Sequence, residues 1–544
     1  MPLVCPEGTT PIDGVCVADG LDAGLDGGSG NLDAGDSGTD GGRDAALDDA
    51  PIGEDACAGG VDVPDPMFLD SNCDGIDGDI ATSVFVSSDA AAGGDGTREM
   101  PFQTIAEGIA AATTAHRDVL VANGTYTETI TLVPEVDLFG GYQATSWTRS
   151  ATRTRVRGPD GAPVLLAIDV DTATRVAGFE LASTMPSDAG QSSIAARVVR
   201  SDGLILEDVT LTAADGARGD SPTAPSAGTA GLAGGAGASG GLSGSCGATP
   251  TSPDPIPGVG ARGPCGGCGA GRGGLTEGYY TGGAVRPAGA GGNGPRVIGV
   301  ACVADPALPG GAVGTGGAAG RRGATGTAGG TGAHVLAATP AIGTFAESGY
   351  ASAAGRPGGA GVAGVSGAGG GGGGGCFYMG DNFCISSGGT GGGGGAGGCA
   401  GAAGLRGGGG GASIGLYLWD SSPTLTRVTI SAGTGGRGGD GTRGGAGGAG
   451  GAGGDGGARG PACGPSGMNS VGGPGGPGGA GGAGGSGSGG SGGPSIGILL
   501  GAGSTQSASS SGVTITTSSG GVPGAGGTGA VNGENGPVQP TYTP

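Results

Sequence analysis

Apolar and polar positions alternate in short runs between residues 82 and 216. Ser83-Val-Phe-Val-Ser87, Asp118-Val-Leu-Val-Ala122, Tyr126-Thr-Glu-Thr-Ile-Thr-Leu132 and Val136-Asp-Leu-Phe139 each read as a strand, and so do 164–170, 175–181 and 204–211. One stretch has helical spacing instead. Phe102, Ile105, Ala106 and Ile109 form a single apolar stripe, and Pro101 suits a helix entrance, so a helix is predicted near Gln103–Ala115. Many short strands rich in Val, Ile and Thr at near-regular spacing suggest an all-β solenoid or a sandwich.

An internal repeat favours the solenoid. Ser193-Ile-Ala-Ala-Arg-Val-Val, Ser413-Ile-Gly-Leu-Tyr-Leu-Trp and Ser495-Ile-Gly-Ile-Leu-Leu are each followed by a Val-Thr-hydrophobe run, at Val209, Val428 and Val513. A degenerate copy is expected at about 333–356. One such unit cannot bury its own inner face, so the units must stack as coils. The coils at about 333–356, 413–434 and 495–519 alternate with glycine-rich insertions at 217–332, 357–412, 435–494 and 520–538.

Several insertions repeat every third residue with two glycines per triplet, as from Gly444 to Asp455 and from Gly472 to Ser486. Collagen requires only one glycine per triplet. Two suit a polyglycine-II bundle, in which extended threefold helices bond to one another and glycine faces each neighbouring backbone. The alternative is disorder, because ordering glycine is costly and no apolar area offsets it. The phased repeat favours the bundle.

Composition narrows the chemistry. Of 544 residues 146 are Gly and 34 are Pro, and aromatics make up 3%. No Lys is present, which removes mechanisms that need an amine. With only His116 and His334, histidine triads and zinc sites are hard to build. The net charge of −23 is concentrated in residues 1–80, which hold 19 acids and one Arg. Such a block reads as a solvated, disordered tail, and it argues against nucleic acid and anionic membranes as partners. Residues 1–66 are thus expected to form a Cys-bracketed knob and a flexible tether. No apolar run is long enough for a transmembrane helix.

Twelve cysteines in turn-rich or glycine-rich surroundings read as disulfides of an oxidising compartment. Cys5 and Cys16, Cys57 and Cys73, and Cys376 and Cys384 bracket short loops, and Cys265 and Cys268 form a CxxC better read as disulfide than as zinc. The first residues lack the basic and apolar regions of a signal peptide, so an extracellular or cell-surface location implies a late-assigned start or a trimmed form. In the neck at 67–81, Asp70-Ser-Asn-Cys-Asp-Gly begins like a calcium loop. Asp70, Asn72, Asp74, Asp77 and Asp79 are the candidate ligands; Ala81 at the twelfth position departs from an EF-hand.

At Gly96-Thr, Pro101-Phe-Gln-Thr-Ile-Ala-Glu-Gly-Ile, Val119-Leu-Val-Ala-Asn-Gly-Thr-Tyr126 and Leu138-Phe-Gly-Gly-Tyr142 the chain resembles DUF1565-type bacterial surface proteins of the pectin-lyase-like, right-handed parallel β-helix class. The resemblance covers about residues 70–212. It implies a β-helix capped by the helix of 103–115 and an exported location far more than a reaction. The glycine insertions depart from it and resemble polyglycine-II bundles of some antifreeze and phage-adhesin proteins.

A glycosidase of this class needs facing carboxylates. Asp169, Asp171, Glu207, Asp208 and Asp420 lie on or beside coils, but Glu207 and Asp208 are adjacent and are expected on opposite faces of a strand. Arg197 and Arg200 have no carboxylate partner legible in sequence. Tyr279-Tyr280, Phe377-Tyr378 and Trp419 suit sugar stacking or the clipping of a loop. The expected function is a non-catalytic structural or adhesive surface protein, with surface glycans or neighbouring surface proteins as partners and calcium ordering the neck. A polysaccharide lyase or glycosidase is the alternative, and an ice-binding protein the third.

Overall fold

The structure is a computed structural model. It describes residues 60–115, 117–241, 256–264, 269–275, 289–293, 306–313, 318–374, 387–461 and 469–544, together with the backbone of several two-stranded hairpins between them and of one near the start. Apart from residues 60–66, the segment expected as a tether lies outside the described residues. Residues Met1–Ala56 form a separate unit containing the antiparallel hairpin Thr9–Ile12/Val15–Ala18.

Among its described residues the remainder is all-β with one α-helix, and three main sheets have six parallel strands each. The first sheet comprises Ser83–Val86, Asp118–Ala122, Leu138–Tyr142, Thr174–Ala177, Leu204–Glu207 and Thr424–Thr426. The second comprises Thr125–Thr127, Thr154–Arg157, Phe179–Ala182, Thr210–Ala213, Thr429–Ala432 and Thr514–Thr517. The third comprises Ile130–Thr131, Leu165–Ile168, Ser193–Val199, Ser413–Trp419, Ser495–Leu500 and Val538–Tyr542. From Asp118 to Leu500 the three-sheet strands follow one another in rotation, and Thr514–Thr517 and Val538–Tyr542 then extend the second and third sheets, which is consistent with a β-solenoid. Val119, Val156, Leu165, Leu206, Leu211, Ile430 and Ile498 belong to one buried core enclosed by all three sheets.

The helix, α1 (Ile105–Ala115), starts two residues later than predicted and buries Ile105, Gly108, Ile109 and Ala112 on that core. Thr104 and Glu107 form a reciprocal capping box, and Glu128 accepts the Ile105 and Ala106 N–H groups, so two carboxylates serve the positive end of α1.

Along their described residues the glycine-rich segments are neither α-helix nor β-sheet, apart from the hairpins, yet their backbones are hydrogen-bonded at every third residue. The segment 389–411 exchanges bonds with six neighbours, shown by Cys399 N–H to Thr229 O (2.9 Å), Gly258 N–H to Gly391 O (2.9 Å), Gly394 N–H to Gly271 O (2.8 Å), Gly364 N–H to Gly398 O (2.9 Å), Gly448 N–H to Cys399 O (2.8 Å) and Gly398 N–H to Gly479 O (2.9 Å). A Cβ at Gly478 would collide with the Ala396 carbonyl and one at Gly484 with the Ala402 carbonyl, so glycine is required there by close approach. Ala446, Ala449, Ala452 and Asp455, the third members of their triplets, are exposed.

The sheets pass their register to these segments. Strand Thr210–Ala213 pairs in parallel with Thr429–Ala432. Beyond it Gly216 bonds to Thr434, Gly219 to Arg437, Gly228 to Ala446 and Gly240 to Ala458, at one unchanged separation in sequence. Likewise Ser413 N–H bonds to Pro494, Gly410 to Ser491 and Gly392 to Gly473, again at one separation.

The coil expected at 333–356 takes another form. Thr344–Ala346 and Gly349–Ala351 make an antiparallel hairpin outside the three sheets. Phe345 and Tyr350 pack on Ile414, Tyr417 and Leu499 at the outer face of the third sheet, and the Tyr417 hydroxyl donates to Ala346 O (2.5 Å). The apolar pattern that suggested a coil belongs to a clip that binds the sheet from outside.

Candidate functional site

The outer face of the first sheet holds the densest side-chain chemistry. Phe85, Leu120, Phe139 and Tyr142 point outward and are covered by Ile76 of the neck and by Trp147. Phe85 meets Trp147 edge-on at 4.7 Å between ring centroids. Arg149 enters this layer, with Nη1 3.0 Å from Asp77 Oδ2 and 3.2 Å from Asp65 O, and Nε 3.0 Å from Gly140 O. Phe68, Phe139 and Tyr142 surround its guanidinium at 5.4–5.6 Å. Both members of the ion pair are buried, and burial raises the Asp77 carboxyl above its usual range despite the arginine. This node fastens the neck to the sheet.

Of the candidate calcium ligands, the structure brings three together. Asp70 accepts the Asp74 and Gly75 N–H groups, Asn72 accepts Asp74 N–H and donates to Asp74 Oδ2, and Asp74 accepts Ile76 and Ile80 N–H. Asp77 turns away to Arg149, and Asp79 caps the short turn Ile80–Thr82. Among the described residues no group of three or more His, Cys, Asp or Glu gathers as a metal site.

Beyond the Arg149 node the same face is charged. Asp118 and Asp137 each precede the paired residues Val119 and Leu138 on neighbouring strands. Desolvation, reinforced by Asp137, raises the Asp118 carboxyl to about 6; burial also raises Asp137, while hydrogen bonding and charge from Arg175 oppose the rise. Arg175 N–H donates to Asp137 Oδ1 at 2.7 Å, and its Nε lies 3.8 Å from Glu207.

Glu207 and Asp208 depart from expectation. The strand ends at Glu207, and Asp208 turns into the left-handed region (φ 51°), so both carboxylates converge on Arg427 Nη2 at 2.7 Å rather than pointing to opposite faces. Arg427 is itself left-handed at the equivalent corner after the neighbouring strand Thr424–Thr426 (φ 54°). Arg200 also finds the partners that sequence did not show, Asp169 at 2.6 Å and Glu347 of the clip at 2.7 Å. A cleft of about 230 Å³ between the neck and this corner is lined by Asp65, Phe68, Arg149, Arg153, Glu207 and Arg427.

Trp419 stacks on Tyr417 beside the clip, and His334 accepts the Ser486 N–H through Nδ1, so both have structural positions. Cys73 and Cys399 are in the disulfide-bonded state. Register places Cys376 opposite Ser386 and Cys384 opposite Tyr378, and Cys16 opposite Pro11. Cys5, Cys57, Cys265, Cys268, His116 and Tyr280 lie outside the described residues, as do the side chains of Tyr279, Phe377 and Tyr378. Among the described residues no helix is long and apolar enough to cross a membrane.

No protein-family model, curated protein or solved structure matches this chain.

Proposed function

We propose that the chain is an exported surface protein in which a right-handed parallel β-helix displays a polyglycine-II bundle, with a structural or adhesive role and no catalysis. The observation that carries this reading is the hydrogen bonding of 389–411, repeated every third residue and reaching six neighbouring segments at 391–394 and fewer beyond, with glycine where a Cβ would meet a neighbouring carbonyl. A bundle of this kind gives a backbone without internal bonds a complete set of partners. Its exposed third residues form ordered rows on a frame that the sheets hold in place. In the same proposal calcium binds the neck turn through Asp70, Asn72 and Asp74, whose oxygens already shape the turn.

Hydrogen exchange on oxidised protein, with and without calcium, tests both parts. Strong protection across 389–411 and 472–493 is expected, together with added protection at 70–80 when calcium is present. Exchange at the random-chain rate in the glycine segments would reduce the protein to sheets carrying brushes. An unchanged neck would remove calcium from the account.

A polysaccharide-degrading enzyme is the second reading. It is favoured by the side-by-side Asp118 and Asp137, one of them with a carboxyl raised into the range of a general acid. Against it, Arg175 occupies Asp137 and Glu207, and Arg427 takes the remaining nearby carboxylates.

A further inference from the structure

The three sheets differ in what lies outside them. The neck and Trp147 cover much of the first sheet, and the hairpin clip packs on Ile414, Tyr417, Leu499 and Tyr542 of the third. The outward positions of the second sheet have no apolar cover. Thr125, Arg155, Glu180, Thr210, Thr429 and Thr514 form one row across its strands, and Thr127, Arg157, Ala182, Thr212, Ser431 and Thr516 form another. None of these residues is buried. Six strands at a spacing of about 4.8 Å make rows of about 24 Å, the dimension of a polymer segment rather than of a single small molecule.

Charge gives the face its polarity. Arg153, Arg155 and Arg157 cluster on one strand and its approach, in a chain whose net charge is −23. Arg155 is paired with Glu180 at 3.1 Å, with both side chains well exposed. Arg153 donates only to the Asp208 carbonyl, and among the described residues neither Arg153 nor Arg157 has an ion-pair partner. A cleft of about 490 Å³ opens at this end of the face, lined by Asn123, Thr125, Arg153, Arg155, Glu180 and Thr210. Exposed guanidiniums beside ranks of hydroxyls match a ligand that is both acidic and rich in hydroxyls.

We propose that the outer face of the second sheet, with this cleft at its arginine end, binds an acidic polysaccharide. The proposal rests on the adhesive reading and names its partner class. Carboxylate or sulfate groups meet Arg153 and Arg157, and the sugar hydroxyls lie along the Thr and Ser rows. Residues 1–80 carry 19 acids and one Arg, so the rest of the chain has a net charge of only −5 (−23 + 18) and leaves these arginines free to set the local field.

The test uses the full chain in biosensor binding to immobilised alginate, heparin, neutral dextran and duplex DNA. Binding to alginate or heparin is expected, weakening as salt rises from about 50 to 200 mM and falling about tenfold in the Arg153→Ala/Arg157→Ala double variant, whose melting temperature stays unchanged. Alginate against heparin distinguishes carboxylate from sulfate as the recognised group. No binding to either acidic glycan overturns the proposal, as does equal binding to dextran or undiminished binding by the double variant. DNA bound as tightly as the glycans would replace it with a general polyanion surface. Bundle protection in hydrogen exchange is independent of this face, so the two readings fail separately.

Discussion

At the scale of single residues, Asp118 is where burial acts against charge. Its carboxyl is raised to about 6, first by desolvation and then by Asp137. A folded-state value above the unfolded one favours folding at low pH, and that benefit is lost as pH rises through 6. Asp118→Asn should therefore change little near pH 4 and stabilise by about 1–2 kcal/mol above pH 7, read from urea melts across that range. A stabilisation independent of pH would mean that the carboxylate is not strained. The sequence shows Asp118 and Asp137 as strand-opening residues, but that they stand side by side depends on the register of two parallel strands. Glu207 and Asp208 make the same point more sharply. Their convergence on Arg427 requires a left-handed corner that hydrophobic alternation does not encode, and an arginine more than two hundred residues away. The Asp77–Arg149 pair was equally hidden, since Asp77 reads as part of an acidic loop.

At the scale of elements, the glycine segments obey a triplet rule that yields a clean contrast. Each residue advances the chain by a third of a turn. Inserting one glycine after Gly450 moves Ala452 and Asp455 into rows where a side chain meets neighbouring carbonyls, whereas inserting Gly-Ala-Gly at the same point keeps the phase. The single insertion should abolish exchange protection from 451 to 458 and in its partners at 472–478, and the triplet insertion should preserve it. Equal protection in the two variants would show that the rows do not demand glycine. The phase itself was legible in the sequence, because two glycines recur at fixed spacing; the identity of the six neighbours was not. The hairpin at 344–351 was misread as a coil for a related reason. Its apolar residues have strand-like composition, and nothing local distinguishes a strand stacked into a sheet from one clipped to its outer face.

For the whole molecule, the shared registers imply an order of dependence. The separation set by the paired strands Thr210–Ala213 and Thr429–Ala432 persists unchanged to Gly240 and Ala458, and that set around Ser413 and Pro494 persists back to Gly392 and Gly473. A triplet repeat alone leaves many registers nearly equivalent, each slipped by three residues. The sheets remove that degeneracy because their apolar residues fit the core in only one alignment. The sheets should therefore act as a template for the bundle and not the reverse. Ile430 is fully buried between Leu211 and Ile515 in the second sheet, where an aspartate would bury an unpaired charge. Ile430→Asp is expected to remove exchange protection from the second sheet and also from 217–240 and 435–458, although no bundle residue has changed. The single-glycine insertion after Gly450 should leave the sheets protected. Such one-way coupling would identify the solenoid-like stack as the part that specifies the structure and the glycine segments as the part that reads it out. Bundle protection surviving in Ile430→Asp would instead mean that the glycine segments find their alignment among themselves.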